Sequence, residues 1–255
     1  LRHMITKMAS FHFPANETYR KRIIQLGENP DCVFNVGGLG VDAITQLPLM
    51  SKEELGISLG IDLSTPYYLV TYHPETSLSK DDNISAVKEI LLALEEVTSH
   101  KVIFTLPNAD SFNDVISLQI INYCKKHDSW FTFSSLGQVR YLSCLKYSSC
   151  VIGNSSSGIS EAPTFCVPTI NIGERQRGRE RSSSVIDVKA NKVDILKALD
   201  KVVEPVFLSE LGNTKNPYGI GGAAQAIRMR LETINFDAIK NKKFFDLHQF
   251  IGDSI

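Results

Sequence analysis

The sequence predicts an α/β fold in which a parallel sheet is wrapped by helices on both faces, and three observations carry that prediction. From Tyr67 onward, largely apolar runs of strand length recur at 67–72, 102–106, 130–134, 149–153 and 167–172. Helical patterns fill the gaps between them, near 83–97, 113–125, 137–146 and 159–165. The chain of 255 residues is 43% hydrophobic and 22% charged, which is enough apolar mass for at least one full core. Strands that alternate with helices make a doubly wound parallel sheet, because the helix that carries the chain back covers one face.

The elements follow in order. Met4, Ile5, Met8, Phe11 and Phe13 recur at mostly helical spacing over 4–13. A second helix over 16–26 opens at Asn16-Glu17 and repeats the pattern through Tyr19, Ile23 and Leu26. Val33 to Val36 forms a short strand that runs into Gly37, Gly38 and Gly40, and a polar stretch around Ser51-Lys52-Glu53-Glu54-Leu55 follows. This segment is the crossing between two domains, a helical part at 1–45 and the α/β domain at 46–255. After the alternating region, a short strand at 184–188 and helices near 192–202 and 221–234 close the domain.

Charge narrows the partners. Lys plus Arg number 27 against 28 for Asp plus Glu, a net charge of -1, so no general pull towards nucleic acid or an anionic membrane exists. Any phosphate must be recognised by a local site. The five cysteines form no CxxC pair and mostly sit in apolar runs, as reduced thiols do, so neither a metal nor a cofactor is expected. The sequence holds no apolar run of about 18 residues and no signal peptide, and the expectation is a cytoplasmic protein. Leu1-Arg2-His3-Met4 is not a translation start, and a preceding segment is expected.

In a doubly wound sheet, ligands bind where strands end and loops enter helices. There Gly153-Asn154-Ser155-Ser156-Ser157-Gly158 precedes Ile159-Ser160-Glu161. Small residues admit a ligand to the backbone, hydroxyls hydrogen-bond it, and a new helix offers free N–H groups, so the loop serves as a phosphate cradle or as a plain helix cap. Glu161 accepts from a ribose diol or completes a capping box. The next strand ends in Gly173-Glu174-Arg175-Gln176-Arg177-Gly178-Arg179-Glu180-Arg181, whose four arginines suit the paired oxygens of a phosphate. His73 directly follows its strand and is placed to bind phosphate or to move a proton near neutral pH. Asn108 and Asp110 lie in a turn able to bind sugar hydroxyls. The amides at Leu136 and Gly137 are free to read a pyrimidine edge, with Tyr141 stacked on the ring or packed in the core.

Taken together, these segments resemble the UDP-N-acetylglucosamine 2-epimerase family, in particular its hydrolysing branch. The resemblance is carried by Arg2-His3-Met4-Ile5-Thr6-Lys7, His73-Pro74, Pro107-Asn108-Ala109-Asp110, the 153–161 loop, Arg175-Gln176-Arg177-Gly178-Arg179-Glu180 and Asn216-Pro217-Tyr218-Gly219, in order along nearly the whole chain. It implies the C-terminal half of a glycosyltransferase-B-type fold, two Rossmann-like domains facing across a cleft, with the nucleotide held mainly by the second. By position, Ser155 and Ser156 would hold the diphosphate, Glu161 the ribose, Arg175 the nucleotide, Leu136 the uracil edge and Tyr141 its face. His73 and Asn108 would lie at the sugar end, His73 as a catalytic residue. The implied substrate is UDP-GlcNAc, released as N-acetylmannosamine and UDP, and the full-length protein is expected to be a homo-oligomer. The family's catalytic carboxylates would fall ahead of Leu1, so this chain would bind the nucleotide without turning it over. Ile220 stands where the family tail carries an aspartate, and Asn113-Asp114 where a lysine is common. Those departures also fit a related enzyme for another nucleotide-activated amino sugar, and a sugar-nucleotide-binding module without chemistry is the alternative from another class.

Overall fold

The structure is a computed structural model that describes residues 1–107, 112–235 and 242–247. The chain divides into two compact units, one of Leu1–Gln46 with Pro217–Ile255 and the other Leu47–Asn216.

The larger unit is built on six strands: β1 (Tyr67–Thr71), β2 (Lys101–Thr105), β3 (Trp130–Phe133), β4 (Cys150–Gly153), β5 (Thr169–Ile172) and β6 (Val185–Val188). They form one sheet in the order β3-β2-β1-β4-β5-β6, with every neighbouring pair parallel. The doubly wound Rossmann-like fold expected from the alternating pattern is the one observed. All five residues of β1 are buried, as a central parallel strand covered on both faces requires. Its side chains alternate between two cores. Tyr68 and Val70 join Leu91 and Leu94 of the helix Lys80–Glu95, while Tyr67 and Leu69 join Cys144 and Leu145 of the helix Gly137–Tyr147.

Three parts of this unit depart from the sequence expectation. The polar stretch after Ser51 is a helix, Lys52–Leu59, in which the Ser51 and Glu54 side chains cap each other's backbone amides and Gly60 closes the end in the left-handed conformation. A further helix occupies Pro205–Leu211. The single helix expected at 159–165 is broken into a four-residue helix, Ser157–Ser160, and a 3-10 turn, Ala162–Phe165. Pro163 supplies the reason, since it lacks an amide hydrogen and its ring excludes the carbonyl four residues back.

The smaller unit contains the helices Arg2–Met8, Glu17–Gln25, Leu39–Gln46 and Ala223–Thr233. The helix expected over 4–13 stops at Met8. Ala9 is extended, and His12 instead makes a parallel bridge with Val33, through His12 N to the Cys32 carbonyl and Phe34 N to the His12 carbonyl, both at 2.9 Å. The strand expected at 33–36 is reduced to that bridge. Glu28, 2% exposed, accepts from Lys7 at 2.7 Å, His12 at 2.9 Å and Lys242 at 2.6 Å. Burial alone would raise its pKa, but hydrogen bonds from Lys242, Lys7 and His12 overcome this and hold it at about 2. The helix Ala223–Thr233 starts at Gly222, which has no side chain to cap it. Its first amides are met from a distance by Asp42, with Ala223 N at 2.9 Å and Ala224 N at 2.6 Å. Residues from 217 onward therefore belong with 1–46, whereas the sequence reading runs them on with the second domain. Among the described residues, no helix is long and apolar enough to cross a membrane.

Candidate functional site

Sheet order reverses between β1 and β4, which places the crevice of such a fold at their carboxyl ends. β4 closes on Gly153, at φ +130°, where an added Cβ would lie 2.0 Å from the Thr71 carbonyl oxygen. Only glycine fits, and it lets the chain turn tightly against the end of β1. Asn154 comes next and is fully buried. Its Oδ1 accepts the His73 amide at 2.7 Å, and its Nδ2 donates to the His73 carbonyl at 2.8 Å. Its own carbonyl accepts from Arg175 Nη1 at 3.2 Å and from Gln176 Nε2 at 2.8 Å. One residue thereby ties together the exits of β1, β4 and β5.

Beside this junction lies a cavity of about 300 Å³, with His73, Leu136, Gly137, Tyr141, Ser155 and Ser157 in its wall. Hydroxyls line one side. Ser157 donates from its Oγ to Ser155 Oγ at 3.1 Å, the Tyr141 hydroxyl meets Ser157, and the Thr71 and Thr105 hydroxyls meet each other. Burial raises the Tyr141 pKa, with the hydrogen bond from Ser157 opposing, so the phenol stays neutral and able to donate. Its ring packs against the core cluster around Leu145.

A second cavity, about 310 Å³, is lined by Pro74, Glu75, Thr76, Ser77, Glu174 and Arg175. Buried Glu75 accepts the Glu174 amide at 3.2 Å. Gly173, at φ +78°, makes this possible, since a Cβ there would meet Glu75 Oε1 at 2.2 Å.

The sequence-predicted residues thus separate into groups. His73, Leu136, Gly137, Tyr141 and Ser155 share one cavity, and Arg175 stands in the adjoining one, joined to it through Asn154. Ser156 is absent from both walls, Ser157 appears in the first, and the Ser156 carbonyl accepts Ser160 Oγ at 2.9 Å. Glu161 also lines neither cavity, and burial raises its pKa. Asn108 lies outside the described residues. The helix expected to aim its amides at a ligand, Ser157–Ser160, is one turn long and carries little macrodipole. The arginine run is not a single claw. Arg181 pairs with Asp187 at 2.9 Å and donates to the Gln176 and Arg179 carbonyls, pinning its own loop, while Arg177 is 84% exposed beside Glu174. Sequence reasoning placed Ser157 in the loop as a whole without singling it out, and assigned no individual role to Asn154, Gln176 or Glu75. Their signal was weak: single polar residues just past strand ends.

A profile of the family described as UDP-N-acetylglucosamine 2-epimerase matches residues 1–232. The chain belongs to the UDP-N-acetylglucosamine 2-epimerase family. Within it, the chain is 40% identical over 249 residues to the GDP/UDP-N,N'-diacetylbacillosamine 2-epimerase (hydrolyzing) of Campylobacter jejuni, covering 97% of this chain and 64% of that protein. It is 38% identical over 249 residues to the polysialic acid biosynthesis protein P7 of Escherichia coli, covering 97% of this chain and 63% of that protein. The chain therefore spans less than two thirds of the length of these relatives. Among solved structures, a Staphylococcus aureus MnaA–UDP complex superposes with a TM-score of 0.73 at 18% identity, over 96% of this chain and 66% of that one. At that identity the likeness is one of fold.

Proposed function

We propose that this chain carries the nucleotide-diphosphate site of a hydrolysing UDP-N-acetylglucosamine 2-epimerase. The observation that carries the reading is the Asn154 junction, which brings the His73, serine-loop and arginine segments to one sheet edge. Of these groups, Ser155, Ser157 and the neutral Tyr141 phenol hydrogen-bond the diphosphate, Arg175 neutralises it, and the amide of Leu136 reads the base, since the Gly137 amide already donates to Ser135 Oγ at 3.3 Å. Glu161 accepts from the ribose, and His73 lies at the sugar end.

In the hydrolysing reaction implied by the resemblance, a base takes the proton at C2 and the C1–oxygen bond breaks, so that UDP departs and a glycal remains. Water then adds across the double bond to give N-acetylmannosamine. The part of this chain is to stabilise charge on the departing diphosphate, through donors already fixed before the bond breaks. The names of the relatives support the hydrolysing branch, since two of them are called hydrolyzing 2-epimerases. The same names favour a second reading, in which the sugar is N,N'-diacetylbacillosamine.

Calorimetry with UDP tests the site apart from turnover. Ser155→Ala with Arg175→Ala is expected to weaken UDP by roughly 2 to 4 kcal/mol, the loss of one hydroxyl and one charge-assisted bond. Unchanged affinity would remove both residues from the site. Turnover of the full-length enzyme in D2O, followed by NMR, distinguishes the sugars: the preferred substrate releases UDP and a product deuterated and inverted at C2.

A further inference from the structure

A cavity of about 1070 Å³ lies beyond β5 and β6, against the helix Lys192–Val202. It is neither the crevice at β1 and β4 nor part of the roles proposed above. Its wall is mixed. Ile186, Val188, Ala190 and Ala198 give it an apolar side, and Lys189, Lys197 and Lys201 stand on its rim. Lys197 and Lys201 are four residues apart on one helix, so their side chains rise from neighbouring turns of the same face.

The charges around it are unevenly committed. Four carboxylates also line the cavity: Asp187 pairs with Arg181 and Glu174 faces Arg177, while Asp194 and Glu75 are held by neutral groups, the Asn191 side chain and the Glu174 amide. The three lysines have no ion pair among the described residues. Five cationic and four acidic side chains therefore line the cavity, and the three lysines stand beside its apolar wall. The second, independent observation is Tyr72. Its side chain is 2% exposed and forms part of the wall, yet its hydroxyl has no hydrogen-bond partner. A buried hydroxyl left unmatched costs free energy, which a bound acceptor would recover. Burial raises its pKa, with Glu75 adding to the effect, so the group is a donor throughout the neutral range.

We propose that this cavity is a second ligand site, for a small phosphate ester with an apolar body, in which Lys189, Lys197 and Lys201 hold the phosphate and the Tyr72 hydroxyl donates to an oxygen of the ligand. An apolar wall, cations without partners and one buried donor together fit that class better than a bare inorganic anion, because the wall rewards a ligand that brings its own apolar surface. The cavity shares Glu75, Ser77 and Glu174 with the smaller one beside Arg175, so an occupant would touch the loop that carries Arg175.

Phenyl phosphate titrated into the full-length protein tests the assignment. Lys197→Ala with Lys201→Ala is expected to weaken its binding about tenfold or more, and Tyr72→Phe by about tenfold, the loss of a hydrogen bond to a charged group. Tyr72→Phe removes only an unmatched hydroxyl and should leave the melting temperature unchanged or raised, which separates lost binding from lost folding. Arg175→Ala should leave a phenyl phosphate site of wild-type affinity, while inorganic phosphate should bind this site about tenfold more weakly. Wild-type binding by the lysine variant would overturn the proposal. So would loss of all binding in Arg175→Ala, because the probe would then have reported only the nucleotide site. Benzoate binding as tightly as phenyl phosphate would overturn the assignment to a phosphate.

Discussion

The two units of this protein are held together by different physics. In the unit Leu47–Asn216, apolar side chains fill both faces of a parallel sheet, and the strands and packed helices are buried by non-directional area effects. In the unit that contains Leu1–Gln46, the helices Arg2–Met8 and Glu17–Gln25 contribute no buried residue. Beside a few buried apolar residues such as Val33, Val41 and Ala223, it has long-range ties that are directional and polar: three cations on Glu28, two amides on Asp42, and the Tyr19 and Tyr218 hydroxyls at 3.2 Å. A unit made this way answers to single charges and to pH, whereas the sheet answers to volume.

Four measurements would break or sharpen that contrast. Leu91→Ala, at a fully buried position, should cost the sheet unit about 3 kcal/mol through lost transfer energy and a residual cavity. Amide exchange should locate this loss in β1 and β2, and a uniform loss across 1–46 would defeat the division. Asp42→Ala should cost about 2 kcal/mol, because two first-turn amides of the helix Ala223–Thr233 lose their acceptor. Its signature would be faster exchange in that helix alone.

Acid gives a smaller and more selective effect. Glu28 is ionised in the folded state down to about 2 against an ordinary value of 4.5, so its contribution is complete above 4.5 and is lost as pH falls through that interval. Exchange in 1–46 should rise across that window, and Glu28→Gln should abolish the pH dependence while lowering stability near neutrality. The smallest effect concerns the candidate site. Burial raises the Glu161 pKa, so its carboxylate is protonated at a higher pH than an ordinary glutamate and, in the ribose role proposed for it, then accepts more weakly. UDP affinity should therefore weaken as pH falls through that raised value, and Glu161→Gln should remove this dependence. A pH profile shared by wild type and variant would take Glu161 out of the site.

Much of the fold was legible because its signals are local. The run Tyr67 to Tyr72 is apolar and of strand length, and a central parallel strand needs nothing more. The helix Lys52–Leu59 was equally legible, with Ser51 and Glu54 three residues apart and Gly60 beyond, but its polar composition drew the reading towards a loop. The helix expected to reach Phe13 failed for the opposite reason. Its apolar spacing was helical, yet a bridge between His12 and Val33, with Glu28 held on the His12 ring, claimed the segment. In the candidate site, His73, Ser155 and Arg175 stood out as reactive types at strand ends. Asn154 did not, because its meaning lies in partners 81 residues before it and 22 residues after it.

By itself, then, the sequence determined the alternation of strands and helices, the strand ends at which reactive groups stand, and the family to which they point, since each is written in spacing or in short motifs. Only the tertiary structure decided that Asn154 joins the exits of β1, β4 and β5, that Ser157 rather than Ser156 faces the cavity, and that the residues after 216 return to the unit of 1–46. The reason is physical: hydrogen bonds and ion pairs between distant segments depend on which surfaces burial brings into register, and no local propensity encodes that.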